Sequence, residues 1–192
     1  MAQSLLSKIY TKFYSLCLYP FQFKHFGKKS KIIAPLRIDG KKNIYIGDHV
    51  YIQEKTWLAC ESLTGEKNPL LKIGNHTTIG NFNHIYATKS ISIEDYVLTA
   101  DKVYISDNLH SYDDINEPII KQPIKQISSV VIGEGSWIGE NACILGVMIG
   151  KHCVIGANSV VTHDIPEYSV AVGAPAKVIK RYNFQSQKWE VI

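Results

Sequence analysis

The 192-residue sequence has few cysteines, no long apolar run and no strong excess of either charge. Its four cysteines form no Cys-x-x-Cys pair, which argues against a zinc site or a disulfide framework and favours free thiols in a reducing, cytoplasmic setting. No run of about 20 apolar residues is present, so no transmembrane helix is predicted. The net charge is only +4, without an Arg-rich stripe or a nucleic-acid motif, so nucleic acid is not an expected partner.

Glycine is present at an ordinary level, yet seven of the 13 glycines directly follow an isoleucine. These pairs belong to a six-residue repeat, in which the glycine either relieves crowding or permits an unusual backbone angle. An aliphatic residue occupies the repeating position, with Thr99 as the one polar exception. The members are Ile46, Ile52, Leu58, Ile73, Ile79, Ile85, Ile93, Thr99, Ile105, Ile132, Ile138, Ile144, Ile149, Ile155 and Val161.

A period of six is typical of short strands that turn a corner every six residues, so that three strands close a triangular coil. Stacked coils pair their strands in parallel and bury one continuous aliphatic column. The pattern therefore predicts an all-β solenoid, a parallel β-helix of about five coils over residues 31–166. An N-terminal helical, amphipathic segment (1–30) and a short C-terminal tail (167–192) that caps the open end of the solenoid complete the expected domain organisation.

Three segments depart from the repeat, and the first is an inserted loop at residues 59–72 between two coils. Residues 107–128 form a polar excursion that contains two prolines and cannot continue the coil, and a loop of this length is either disordered or functional. Residues 1–30 combine aromatic and aliphatic side chains, partly at helical spacing, with several lysines. We expect this helix to pack on the body or on a partner subunit, and the alternative is that it lies on a membrane surface.

The stretch VVIGEGSWIGENACILGVMIGKHCVIGANSVVTHDIPEYSVAVGAPAKVIK, residues 130–180, resembles the terminal signature of hexapeptide-repeat acyltransferases. The likeness covers residues 32–182 and is strongest to sugar O-acetyltransferases, which include galactoside, maltose, xenobiotic and surface-polysaccharide acetyltransferases. It implies a left-handed β-helix, a homotrimer with active sites between subunits, acetyl-CoA as acyl donor and no metal.

The same resemblance places the catalytic histidine at His110, in the segment SDNLHSYDD at the start of the excursion. A neutral imidazole within hydrogen-bond distance of an acceptor hydroxyl can take its proton as the oxygen attacks a thioester. Asp107, Asp113, Asp114 or a backbone carbonyl could orient the ring.

The resemblance further implies residues for the two ligands. On the acceptor side they are Asn81, Asn83, Asp107 and Trp137. On the coenzyme side they are Gly139, Ala157, Thr162, His163, Lys177 and Lys180, of which the two lysines supply charge for the phosphates. The asparagines of GNFN could equally be corner residues with left-handed backbone angles. Ala87-Thr88 stands where galactoside-type relatives carry an aspartate, which argues against a simple galactoside or maltose acetyltransferase.

The predicted function is direct transfer of an acetyl group from acetyl-CoA to a sugar hydroxyl. The acceptor is expected to be a sugar or glycan of cell-surface polysaccharide biosynthesis, such as O-antigen or capsule, in the cytoplasm or at the inner face of the membrane. An amino-sugar N-acetyltransferase is one alternative. A metal-binding or non-catalytic hexapeptide-repeat protein is the other, and His76, His84 and His110 are its only plausible ligands.

Overall fold

The computed structural model describes residues 5–192, with side-chain environments from residue 9 onward, so residues 1–4 of the expected N-terminal segment lie outside the described residues. The segment is helical: α1 spans Leu5–Phe13, a π-helical turn spans Tyr14–Leu18 and α2 spans Tyr19–Gln22. At its C-terminal end the ring of Tyr19 lies 5.2 Å from that of Phe23 and 5.3 Å from that of Phe26. Since Tyr19 and Phe23 are buried in the core, this end packs on the body of the protein.

Most of the remaining described chain consists of short strands, numbered here in chain order, which form three largely parallel sheets. Sheet A contains β1 (His25–Phe26), β4 (Ile44–Ile46), β7 (Leu70–Ile73), β10 (Ser90–Ile93), β15 (Val130–Ile132) and β18 (Met148–Ile149). Sheet B contains β2 (Lys31–Ile32), β5 (Tyr51–Ile52), β8 (Thr78–Ile79), β11 (Leu98–Thr99), β16 (Trp137–Ile138), β19 (Val154–Ile155), β21 (Ser169–Gly173), β22 (Ala176–Asn183) and β23 (Lys188–Val191). Sheet C contains β3 (Arg37–Asp39), β6 (Trp57–Cys60), β9 (His84–Ala87), β12 (Tyr104–Ser106), β17 (Cys143–Leu145) and β20 (Val160–Val161).

The chain visits sheets A, B and C in turn, and each strand pairs in parallel with the strand one coil later. Within residues 5–192 this circuit is completed six times, and Ile165 then bridges to Ile149 at the start of a further turn. The repeat count predicted about five coils because β1, β2 and β3 of the first coil contain no Ile-Gly pair. Parallel pairing begins at His25, inside the segment that the sequence pattern assigned to a helix.

The fifteen repeat positions form the interior column, since each of these side chains is at most 1% exposed. The polar exception, Thr99, keeps its hydroxyl satisfied by accepting the Gly80 N–H at 3.1 Å. Crowding explains the glycines of the Ile-Gly pairs. A Cβ at Gly139 would lie 2.6 Å from the backbone nitrogen of Ala157 in the next coil, so the successive backbones leave no room for one.

The excursion over residues 107–128 is an ordered arm. Strand β13 (Asn108–His110) pairs antiparallel with β14 (Ile124–Gln126), and a 3₁₀ turn at Ile119–Lys121 lies between them. At the other end of the chain, β21, β22 and β23 form an antiparallel meander that extends sheet B. None of the described helices has the length and apolar character needed to cross a membrane.

Candidate active site

The arm is anchored by the buried carboxylate of Asp107, which follows β12 at the edge between sheets C and A. Oδ1 accepts the Thr88 N–H at 2.8 Å and the Thr88 hydroxyl at 3.1 Å. Oδ2 accepts the N–H groups of Lys89 at 2.8 Å and Ser90 at 2.7 Å. The residue is 0% exposed. Both carboxylate oxygens are therefore occupied by the preceding coil, and the expected contact of Asp107 with the acceptor stays a prediction.

Neighbouring polar side chains close the base of the arm. The Ser106 hydroxyl donates to the Asn108 carbonyl at 2.8 Å, and the Asn108 amide donates to the Tyr86 carbonyl at 3.1 Å. On the returning strand, Gln126 donates from its amide nitrogen to the Asp107 carbonyl, and its amide oxygen lies 2.9 Å from the Thr88 hydroxyl oxygen. The arm therefore leaves the body through a satisfied polar cluster, which gives it a defined direction.

Sequence reasoning missed Thr88, Ser106, Asn108 and Gln126. The available signal was the run Ser-Asp-Asn directly after an aliphatic strand, at the point where the repeat breaks. Polar side chains at such a position must find partners if the strand end is buried.

His110 is the last residue of β13, opposite Ile124, and it is exposed. Among the described residues no side chain is hydrogen-bonded to its ring. Asp113 instead pairs with Lys125 at 2.8 Å, and Asp114 Oδ1 accepts the Asn116 N–H at 2.8 Å. The three aspartates expected to orient His110 are thus engaged elsewhere, and its ring is open to a ligand or a neighbouring chain.

The asparagines of GNFN hold one coil to the next. Asn81 accepts the Glu54 N–H at 3.2 Å and donates to Gln53 at 3.0 Å, while Asn83 is 1% exposed and donates to the Ala100 carbonyl at 2.9 Å. These bonds engage both side-chain amides within the coils, and the expected contacts of the two asparagines with the acceptor stay predictions. The left-handed backbone angle belongs to Phe82 between them, with φ of 56°.

Several of the residues expected at the ligands lie on the sheet B side. Trp137 begins β16 and is 48% exposed between Leu98 and Val154 of the adjacent strands. Gly139 and Ala157 lie at the corner that follows this sheet, in successive coils. Lys177 and Lys180 are exposed on β22, which extends sheet B.

Thr162 and His163 lie on a different edge. They follow β20 at the edge between sheets C and A, where the arm also leaves the body, and their side chains contact each other at 3.1 Å. In a single chain the predicted site residues therefore lie in two separate places. His110 lies at the edge between sheets C and A, whereas Trp137 and the two lysines lie on the sheet B side.

The three histidines considered as metal ligands are not brought together. His76 stacks between His49 and Tyr96 at one corner, with ring centroids 4.8 Å apart in both pairs. His84 stacks on Trp57 at 4.1 Å on the outer face of sheet C, where burial lowers its pKa. Across the described part of the chain, no group of three His, Cys, Asp or Glu side chains is arranged to hold a metal ion.

Comparison with known sequences finds a matching family model and similar proteins. The model of the hexapeptide repeat of succinyl-transferases matches residues 129–163. Over 123 residues the chain is 39% identical to the Escherichia coli K12 protein WbbJ, named as a lipopolysaccharide biosynthesis O-acetyl transferase, covering 60% of this chain and 63% of WbbJ. Over 133 residues it is 43% identical to Mycobacterium tuberculosis Rv3034c, named as an acetyltransferase, covering 66% of this chain and 43% of Rv3034c. The matched regions thus span less than two thirds of either relative.

Among solved structures, the chain is similar to AntD, an N-acyltransferase from Bacillus cereus crystallised with dTDP and 3-hydroxybutyryl-CoA. The TM-score is 0.73, with 88% of each chain covered at 20% identity, so this likeness concerns the fold. Together with the match to the hexapeptide repeat, this likeness in fold supports a left-handed β-helix. Residues 129–163 thus carry the hexapeptide repeat, and the three-sided parallel architecture and the relatives named as acetyltransferases make the chain similar to hexapeptide-repeat acyltransferases.

Proposed function

We propose that this protein transfers an acetyl group from acetyl-CoA to a hydroxyl of a sugar in a surface-polysaccharide precursor. The observation that carries the proposal is the exposed His110 on an arm whose base is fastened by the buried Asp107 cluster. The similarity to a relative named for lipopolysaccharide O-acetylation supports the acceptor class.

His110 acts as the general base in this proposal. A ring nitrogen accepts the proton of the acceptor hydroxyl as its oxygen bonds to the acetyl carbon, and the proton then passes to the departing sulfur. Bound acetyl-CoA supplies the thioester that is cleaved. Lys177 and Lys180 would hold its phosphates, and both are exposed without an ion-pair partner among the described residues. The indole of Trp137 offers an apolar surface on the same sheet, three strands away from β22.

The active form is proposed to be a homotrimer with interfacial sites. His110 and the sheet B residues lie on different sides of one chain, so a neighbouring chain would have to complete the site. The tip of the arm supports this, because Ile115 is 94% exposed and Ile120 is 88% exposed. Apolar side chains at such exposure gain stability when another subunit covers them.

We place the protein in the cytoplasm, peripheral to the inner face of the membrane. Its cysteines are free thiols, and burial raises the pKa of Cys60 to about 12, which keeps that thiol protonated and inert. On the N-terminal helix, Ile9 and Phe13 expose apolar surface of the kind that enters a membrane interface.

The test is a transfer assay in which acetyl-CoA is offered with hydroxyl and amine sugar acceptors, and the released thiol and acetylated product are both measured. We expect the hydroxyl acceptor to react, and His110→Ala to lower kcat by about 10²–10⁴-fold. The matched control is His49→Ala, an exposed histidine at a corner away from the arm, which should keep wild-type turnover.

Turnover of His110→Ala within about threefold of wild type would contradict the general-base role. Transfer to the amine acceptor alone would instead identify an amino-sugar N-acetyltransferase. A chain that binds no acetyl-CoA would be a non-catalytic repeat protein.

A further inference from the structure

The N-terminal helix and the first coil enclose a cavity of about 850 Å³ on the sheet B side. This volume lies in the range of pockets that bind small organic molecules. Part of its wall is apolar, formed by Leu16, Pro20, Phe26, Ile33 and Tyr51. The residues of the proposed transferase site do not line it.

Four lysines surround this cavity: Lys12 from the helix and Lys28, Lys29 and Lys31 from the first coil. All four are exposed, and none of their ammonium groups forms an ion pair or hydrogen bond within the described residues. The nearby Asp48 carboxylate accepts the backbone N–H of Lys28 at 2.7 Å through Oδ1. The cavity rim is therefore cationic and suited to an anion.

Two hydroxyl groups in the same wall have no hydrogen-bond partner. Thr11 is 5% exposed and Ser15 is 7% exposed, both line the cavity, and neither side-chain oxygen is bonded. Buried polar groups are nearly always satisfied, and leaving one unpaired is costly. An anionic oxygen in the cavity would accept both O–H groups.

The surface beside the cavity is strongly apolar. Ile9 is 58% exposed, Leu16 is 64% exposed and Phe21 is 86% exposed. Leu16 belongs both to this surface and to the cavity wall, so apolar surface continues from outside into the pocket.

We propose that this cavity binds a lipid phosphate, meaning a phosphate ester attached to a long hydrocarbon chain. The phosphate would be held by the four lysines and by the hydroxyls of Thr11 and Ser15. The hydrocarbon would follow the wall of Leu16, Pro20 and Phe26 toward the exposed apolar surface. The proposal extends the peripheral membrane placement given above and requires no part of the transferase chemistry.

The test measures calorimetric binding of three probes to the full chain without acetyl-CoA. Dodecyl phosphate carries both features, dodecyl maltoside carries the hydrocarbon alone, and inorganic phosphate carries the anion alone. We expect dodecyl phosphate to bind at least about tenfold more tightly than either of the others, since both parts of the cavity contribute.

Two sets of variants test whether the lysines and Thr11 bind the phosphate. Lys28→Gln with Lys31→Gln should weaken dodecyl phosphate binding by about tenfold or more, because each lysine contributes attraction to the phosphate. Lys67→Gln with Lys72→Gln removes the same charge away from the cavity and should bind as wild type. Thr11→Val should weaken binding by about tenfold without lowering Tm, because it replaces an unsatisfied hydroxyl by a methyl group.

Unchanged binding in the Lys28→Gln, Lys31→Gln variant would overturn the proposal, as would inorganic phosphate binding as tightly as dodecyl phosphate. If the lysine substitutions instead changed the oligomeric state by light scattering, with no lipid binding to wild type, the cavity would be a subunit contact. Because the acetyl transfer assay is separate, failure of this site would leave the proposed activity standing.

Discussion

The coiled body and the arm over residues 107–128 obtain their structure in different ways. In the body the same contact is repeated, with an aliphatic side chain stacked on its equivalent in the coils before and after. The arm exposes its apolar residues and is held at its base by hydrogen bonds to Asp107 and Gln126. Stability is therefore spread over many similar residues in the body, whereas the position of His110 depends on a few polar groups.

This contrast matters for function because a general base must be held within hydrogen-bond distance of its substrate. A repeat body tolerates variation in any one coil while the column remains filled. A single polar anchor has no such redundancy, so its loss should affect turnover more than overall stability.

The largest expected effect comes from the interior column. Ile138→Ala removes a side chain that is 0% exposed, and we expect the free energy of unfolding to fall by about 2–5 kcal/mol. Urea denaturation followed by circular dichroism would measure it. Leu36→Ala, at a position 65% exposed in the first coil, should change it by less than about 0.5 kcal/mol. Equal losses in the two variants would mean that burial in the column does not determine stability.

A smaller effect on stability is expected at the base of the arm. Asp107→Asn directs an amide toward backbone N–H donors and should cost about 1–3 kcal/mol. This loss should appear as faster hydrogen exchange at residues 88–90 and faster proteolysis of the arm, together with a large drop in turnover. Asp113→Asn, which alters an exposed pair in the same arm, is the control and should leave exchange and turnover nearly unchanged. Wild-type turnover in Asp107→Asn would show that the anchor does not position His110.

The smallest effect concerns His84, a partly buried polar group of the body whose Nε2 is unsatisfied. Burial lowers its pKa in the folded state, so the unfolded chain binds the proton more readily. Stability should therefore be full above the unfolded pKa of about 6.5 and should decrease as the pH falls below it. His84→Phe should reduce the decrease in urea midpoint between pH 7 and pH 5. Tyr104→Phe, on the same face, should leave it as in wild type, and an unchanged His84→Phe profile would contradict this origin.

Local regularity made part of the fold predictable. The aliphatic positions could be read one after another because each coil repeats the requirement of its neighbours, and the start of the arm at residue 107 followed from the break in period. The first coil was not recognised because Phe26 is aromatic and because Ile32 and Ile38 have no following glycine, although Ile32 is buried like the later members.

The candidate site was less accessible to sequence reasoning. A single sequence presents Asp107, Asn81 and Asn83 as available polar groups, and only folding shows that they bond to backbone 17 to 27 residues away. These hydrogen bonds join polar groups of different coils that lie outside the repeating aliphatic position. The six-residue period therefore does not predict them.

The sequence by itself determined that the aliphatic side chains at every sixth residue form a buried column, because short strands that turn a corner every six residues place all of them on the inner side. Tertiary structure alone decided that Asp107 serves the arm, that His110 and Trp137 lie on different sides of one chain, and that Thr11 and Ser15 meet four lysines around a cavity. The reason is physical: burial of a periodic residue is a local property, whereas the partner of a polar or charged group is set by which distant segments the coils bring into contact.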